Sequence, residues 1–184
     1  MWTTCHPDVD LTEGRTLATN SGRSGYRSAV CGEAAHAMGG GGGGGGGRRL
    51  YYAEFAVVEK QVSIAVGVVP ADAAGRAPRE MDKPWLKHPA AHMWNSARGR
   101  HVQRGSGSVW PGRAGYGRGD TVGLLLDVEG GSLTAFKNGA WLGVVVPNER
   151  VASLGAGPFH WAVDLGREGD SVRIDATKPP PAAE

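Results

Sequence analysis

Between Asp120 and Val146 apolar and polar positions alternate with the period of a β-strand. Val122, Leu124, Leu126 and Val128 fall on one side, and Thr121, Gly123, Leu125 and Asp127 on the other, a spacing that a helix would not produce. Glu129-Gly130-Gly131 supplies a turn, since glycine reaches the positive φ that other residues resist. Ser132 to Lys137 continues as a second strand carrying Leu133, Ala135 and Phe136. Asn138-Gly139 is the signature of a type I′ hairpin turn. Trp141 to Val146 returns as a third strand, closed by Pro147, which has no N–H to give to a ladder. The whole stretch predicts an antiparallel meander.

The same alternation recurs along the chain. Two brief strands are expected at His6–Leu11 and Thr16–Thr19, turning at Glu13-Gly14, and another at Tyr26–Cys31 with Val30 and Tyr26 directed inward. From Leu50 to Val58, Tyr51, Ala53, Phe55 and Val57 share one face. Val62, Ile64, Val66 and Val68 then alternate with Ser63, Ala65, Gly67 and Val69. Met93–Ser96 reads as a short strand; Phe159, Trp161, Val163 and Leu165 line one face of a half-buried strand; Ser171–Asp175 closes the set. Asn20–Gly25 and the proline-rich Pro70–Ala91 are loops by composition. The turn spacing predicts an all-β sandwich of two antiparallel sheets with about ten to twelve strands. One domain is expected over residues 1–176, with a disordered poly-Gly insert at 39–47 and a Pro-rich tail at 177–184.

Several of these runs carry a further pattern. Gly119-Asp120, Val122-Gly123, Leu125 to Asp127, Leu133, Phe136 to Gly139 and Leu142 to Val144 form an ordered motif that resembles the signature of SPRY domains. Tyr51-Tyr52-Ala53-Glu54-Phe55 and Val66-Gly67-Val68 are similar to two earlier strands of that family. The resemblance implies a β-sandwich that binds other proteins through loops and has no catalytic machinery of its own. It also implies a role as a substrate-recognition or scaffold part of a ubiquitin ligase or other regulatory complex. In such domains partners meet the loop after the opening strands, the long central loop and the last inter-strand turn. These correspond here to Asn20–Gly25, Pro70–Ala91 and Leu165–Asp170. Within and beside them, Arg23, Tyr26, Trp85, His88, Arg167 and Trp110 are the candidate partner contacts, because arginine and aromatic side chains carry most interface energy. For Tyr26 and Trp110 ordinary core packing is the competing role.

Charge and chemistry narrow the picture. Net charge is +2, from 20 basic and 18 acidic residues, so no charge-driven nucleic-acid or membrane partner is implied. The basic cluster Arg98, Arg100, Arg104, Arg113 and Arg118, with Trp110 and Tyr116 among it, therefore points to protein contact before nucleic acid. MWTTCHPDVD has neither a basic start nor an apolar core, and no run of eighteen apolar residues occurs. Cys5 and Cys31 are expected as free thiols in a cytoplasmic or nuclear protein. No G-x-S-x-G is present, and Gly105-Ser106-Gly107-Ser108 reads as a flexible turn. The glycine run lacks the Lys-Ser or Lys-Thr that a phosphate loop needs. His88 and His92 lie four apart, but Pro89 biases His88 away from helix and nothing fixes His101 as a third ligand. Neither a metal nor a cofactor is expected. A lectin-like sandwich, with Trp110 or Trp85 stacking on a sugar ring, is the alternative reading.

Overall fold

The computed structural model describes residues 1–23, 25–31, 50–71, 84–88, 90–97, 99–103, 106–108, 110, 112, 114–146 and 158–181. The nine-glycine run and residues 72–83 of the long central loop lie outside them. The described strands are β1 (Thr4–Cys5), β2 (Val9–Thr12), β3 (Leu17–Asn20), β4 (Arg27–Val30), β5 (Leu50–Glu59), β6 (Ile64–Pro70) and β7 (His92–Asn95). They continue with β8 (Arg100–Gln103), β9 (Ser106–Ser108), β10 (Thr121–Asp127), β11 (Ser132–Lys137), β12 (Ala140–Val146), β13 (Phe159–Leu165) and β14 (Ser171–Asp175). A turn of 3-10 helix covers Trp85–Lys87.

These strands form two antiparallel sheets, one ordered β1-β4-β13-β6-β7-β8-β9 and the other β12-β11-β10-β5-β14-β3-β2. The expected sandwich is therefore present, with fourteen described strands instead of ten to twelve. Two of the extra strands, β1 and β9, are short sheet edges. β9 falls where a flexible turn was expected: Ser106–Ser108 pairs with His101–Gln103.

The core lies between the sheets. Ile64, Val66, Val68, Trp94, Trp161 and Val163 come from the first sheet, and Ala53, Phe55, Val57, Val122, Leu124, Leu126, Leu133 and Ile174 from the second. Each large apolar side chain removed from water contributes roughly 1.5–3 kcal/mol, so this layer dominates the folding energy. Two inward assignments change. Val62 does not begin β6 but sits in the turn before it, 54% exposed. Val30 is buried on the outer face of the first sheet, while its neighbours Ala29 and Cys31 point into the core.

β13 was expected to be half-buried; all seven of its residues are buried. Residues 84–88 and 90–91 lie over the outer face of the first sheet. There Trp85 packs with Val30, Ala65, Val69, Ala91, Met93 and Ala162. Gly67 lets β7 approach closely, because a Cβ there would run into the His92 carbonyl oxygen and the Met93 side chain. The cover is anchored by Asp164, whose carboxylate accepts hydrogen bonds from the Ser28 hydroxyl (2.6 Å) and the N–H groups of Trp85 (3.0 Å) and Leu86 (2.8 Å). Burial, with no cation paired to it among the described residues, pushes this carboxyl up to about 6, against the pull of those three bonds.

Two expectations follow from this packing. Asn138 and Gly139 take φ of 52° and 82°, the type I′ values, and a Cβ at Gly139 would meet no heavy atom within 4 Å. Gly139→Val should then cost on the order of 1–3 kcal/mol from backbone strain alone, read as a lower urea midpoint with unchanged slope. A variant as stable as the parent would contradict this turn. The Asp164 carboxyl binds its proton more tightly in the folded chain, at about 6, than at its ordinary value of 3.8. Its contribution to stability is therefore fullest below about pH 4 and is lost as pH rises through about 6, by on the order of 3 kcal/mol. Asp164→Asn cannot titrate, so the parent should lose stability relative to the variant over that range in urea unfolding. A difference independent of pH would contradict the assignment.

Candidate functional site

Three loops meet at one end of the sandwich: 20–26 between β3 and β4, 60–63 between β5 and β6, and 165–170 between β13 and β14. Short polar side chains tie them together. The Asn20 amide donates to the carbonyls of Leu165 (3.0 Å) and Gly25 (3.3 Å), and its oxygen accepts from the Gly22 N–H (2.9 Å). Its backbone N–H donates to Asp170, and its carbonyl accepts from Gly169, both at 2.9 Å. The buried Asp170 carboxylate accepts from the N–H groups of Gln61 and Arg167. Burial raises its pKa, while these backbone donors and those of Gly166 and Val62 pull it down. Gly166 donates to the Ser63 carbonyl at 3.0 Å, and Asp8 holds Arg27 at 2.8 Å. The backbone of this end is thus fixed by bonds between loops, and the longer side chains are free to face outward.

The structure brings together three of the six candidate contacts. Arg23 and Arg167 are exposed on two of the tied loops. Tyr26 is half-buried, its ring edge beside Gly166. His88 is half-buried just after the 3-10 turn, with its ring 5.3 Å from that of Trp85. Two expectations require correction. Trp85 is only 2% exposed, because it is the centre of the cover over the first sheet. Trp110 is 4% exposed and belongs to the core; its Nε1–H donates to the Gly99 carbonyl at 2.9 Å and its ring meets Trp94 edge-on at 5.6 Å. Neither can present its face to a partner or a sugar without leaving its packing.

Other groups singled out in the sequence have structural partners. Glu54 accepts from Tyr52 (3.3 Å) and pairs with Lys178 (2.5 Å). Burial, with the Glu54 charge beside it, raises the Tyr52 hydroxyl pKa. Arg118 pairs with Glu59 at 3.2 Å, while Arg98, Arg104 and Arg113 lie outside the described residues. Cys5 and Cys31 are free thiols. His92 meets His101: Nδ1 and Nε2 are 3.2 Å apart in rings parallel within 3°. Their 5.4 Å centroid separation is about one hydrogen bond plus two ring radii, so the rings meet edge to edge, one nitrogen donating to the other. Among the described residues no group of three or more metal-ligating side chains occurs, and no helix is long and apolar enough to cross a membrane.

Two exposed apolar sites were not anticipated. Val62 stands on the tied loops at 54% exposure, and Trp141 (63%) with Val144 (39%) on β12, an edge strand of the second sheet. Trp141 pairs across from Phe136, whose ring packs on Tyr52 on the outer face. The alternation around Asn138-Gly139 already placed Trp141 opposite Phe136, and that is the signal that could have flagged it.

No sequence-family profile matches the chain, and no curated protein matches it. Solved structures do. The crystal structure of a human SPRY domain superposes with a TM-score of 0.64 at 18% identity, over 96% of this chain and 99% of that one. The SPRY domain of human HERC1 gives 0.68 at 16% identity, with the same coverage. At such identity the likeness lies in the course of the backbone: the chain has the β-sandwich fold of SPRY domains.

Proposed function

We propose that this chain is a non-enzymatic protein-interaction module that binds a partner protein or short peptide on the three tied loops at 20–26, 60–63 and 165–170. The observation that carries this reading is the combination of a backbone locked by Asn20 and Asp170 with exposed Arg23, Val62 and Arg167 and half-buried Tyr26. A surface already ordered before binding loses less entropy when a partner arrives. The SPRY fold supports the same reading by analogy, since a fold carries many functions and the side chains of the site decide among them. A cytoplasmic or nuclear setting, as part of a ubiquitin ligase or another regulatory complex, is the finer form of this proposal. It rests on the motif resemblance, on the HERC1 domain among the similar structures and on two free thiols.

The test begins with proximity labelling and pull-down using the full chain, followed by affinity measurement for the recovered partner. Arg23→Ala and Arg167→Ala should each weaken binding by about 1 kcal/mol or more, with folding confirmed by circular dichroism. Trp141→Ala, on the second sheet, should leave affinity unchanged. If Trp141→Ala abolishes binding while the double arginine variant binds like the parent, the partner uses β12 and this site is wrong.

A further inference from the structure

The chemistry of the partner can be read from which charges the fold leaves unsatisfied. Seven arginines are described: Arg15, Arg23, Arg27, Arg100, Arg118, Arg167 and Arg173. Four have internal partners. Arg15 donates to the carbonyls of Trp2 and Thr3, Arg27 pairs with Asp8, Arg118 with Glu59 and Arg173 with Glu13. Of the three whose guanidinium has no hydrogen bond or ion pair among the described residues, two, Arg23 and Arg167, stand on the tied loops. An unpaired, exposed guanidinium can take a carboxylate in a two-pronged bond without first breaking a bond inside the protein.

The tied loops also carry apolar groups. The 60–63 turn, bonded through Gln61 to Asp170 and through Ser63 to Gly166, carries Val62 at 54% exposure. Tyr26 lies beside Gly166 on the same loops. Negative charge also sits among these groups: Glu168 is exposed next to Arg167, and Asp8, its side chain 43% exposed, lies against Gly22 while paired with Arg27. This charge lowers the local positive field, which works against a densely charged polyanion and leaves room for a ligand whose carboxylates are few and spaced.

We infer that the partner segment is an acidic peptide: carboxylate side chains for Arg23 and Arg167, flanking an apolar side chain that packs on Val62 and Tyr26. This rests on the three loops being the binding surface. The carboxylates supply orientation and fast encounter, and the apolar residue supplies most of the slow dissociation.

The experiment uses the full chain against short synthetic peptides with a central Leu or Phe whose flanks run from Lys through Ser to Asp and Glu. Fluorescence anisotropy is read at low and high salt. Binding should strengthen with acidic flanks and weaken with salt. Arg23→Glu with Arg167→Glu should cost about tenfold or more in affinity for the acidic peptides, and Glu168→Lys should tighten it. Val62→Asp should weaken acidic and neutral peptides alike. All four positions project from the fold, and circular dichroism checks that each variant folds.

The inference is overturned if the tightest peptides are neutral or basic, if none binds the folded parent, or if the acidic preference survives the double arginine reversal. It is also overturned if an oligodeoxynucleotide binds these loops more tightly than any peptide. Neutral peptides that lose affinity in Val62→Asp would keep the loops as the binding surface while removing the acidic class. Acidic peptides that respond to Trp141→Ala and not to the loop variants would remove both.

Discussion

A carboxylate buried away from water with no cation beside it is costly unless hydrogen bonds replace its hydration. Asp164 is such a group, and three donors from two separate parts of the chain converge on it. Two of them are backbone N–H groups of the 3-10 turn, so satisfying the charge also sets Trp85 down on the first sheet. That placement hides the outer face of β13 and makes it a strand buried on both sides. The next residue along, Leu165, offers its carbonyl to Asn20 at the end where the three loops meet. One strand therefore carries both the anchor of the cover and the first tie of the loop platform.

The platform depends on the same economy of polar groups. Irregular backbone at the end of a sandwich leaves N–H and C=O groups that a ladder would otherwise satisfy. Asn20 and Asp170, both buried, take up several of them across three loops. Because short side chains do this work from inside, the long ones at Arg23 and Arg167 are not drawn into it. Rigidity beneath and unspent charge above arise from a single division of labour.

Much of this was legible in the alternation of residues. The meander through β10, β11 and β12, its Asn-Gly turn and the apolar face of β5 each follow from a local period of two. What escaped is what that period cannot report. It marks one apolar face per strand, so the second buried layer beneath Trp85 went unseen and Val30 was assigned to the wrong side. An aromatic in a glycine- and proline-rich stretch has the local character of an exposed residue, yet Trp85 and Trp110 are drawn under by surfaces distant in sequence. The meeting of His92 with His101, and of Asn20 with Leu165, are tertiary pairings with no local mark. Arg23, Tyr26 and Arg167 were singled out by residue type and loop position, and they do lie on the tied loops; Val62 was not, because it looked like the first step of a strand.

The order in which strands join the sheets has a consequence for how the chain comes to be folded. β13 lies between β4 and β6, and β14 between β5 and β3, so the two latest described strands complete the middle of each sheet and not its rim. Until residues near 175 are available, β4, β6, β5 and β3 each lack one neighbour, and four inner edges stand open at once. Pairings of this kind close long loops and are slow to form, and open edges are templates for the wrong strand. On a ribosome, this domain would emerge as four separate sheet fragments and reach its native order only when the late strands clear the exit tunnel. Its most vulnerable period is thus during synthesis, and folding helpers that shield strand edges would matter most at that moment.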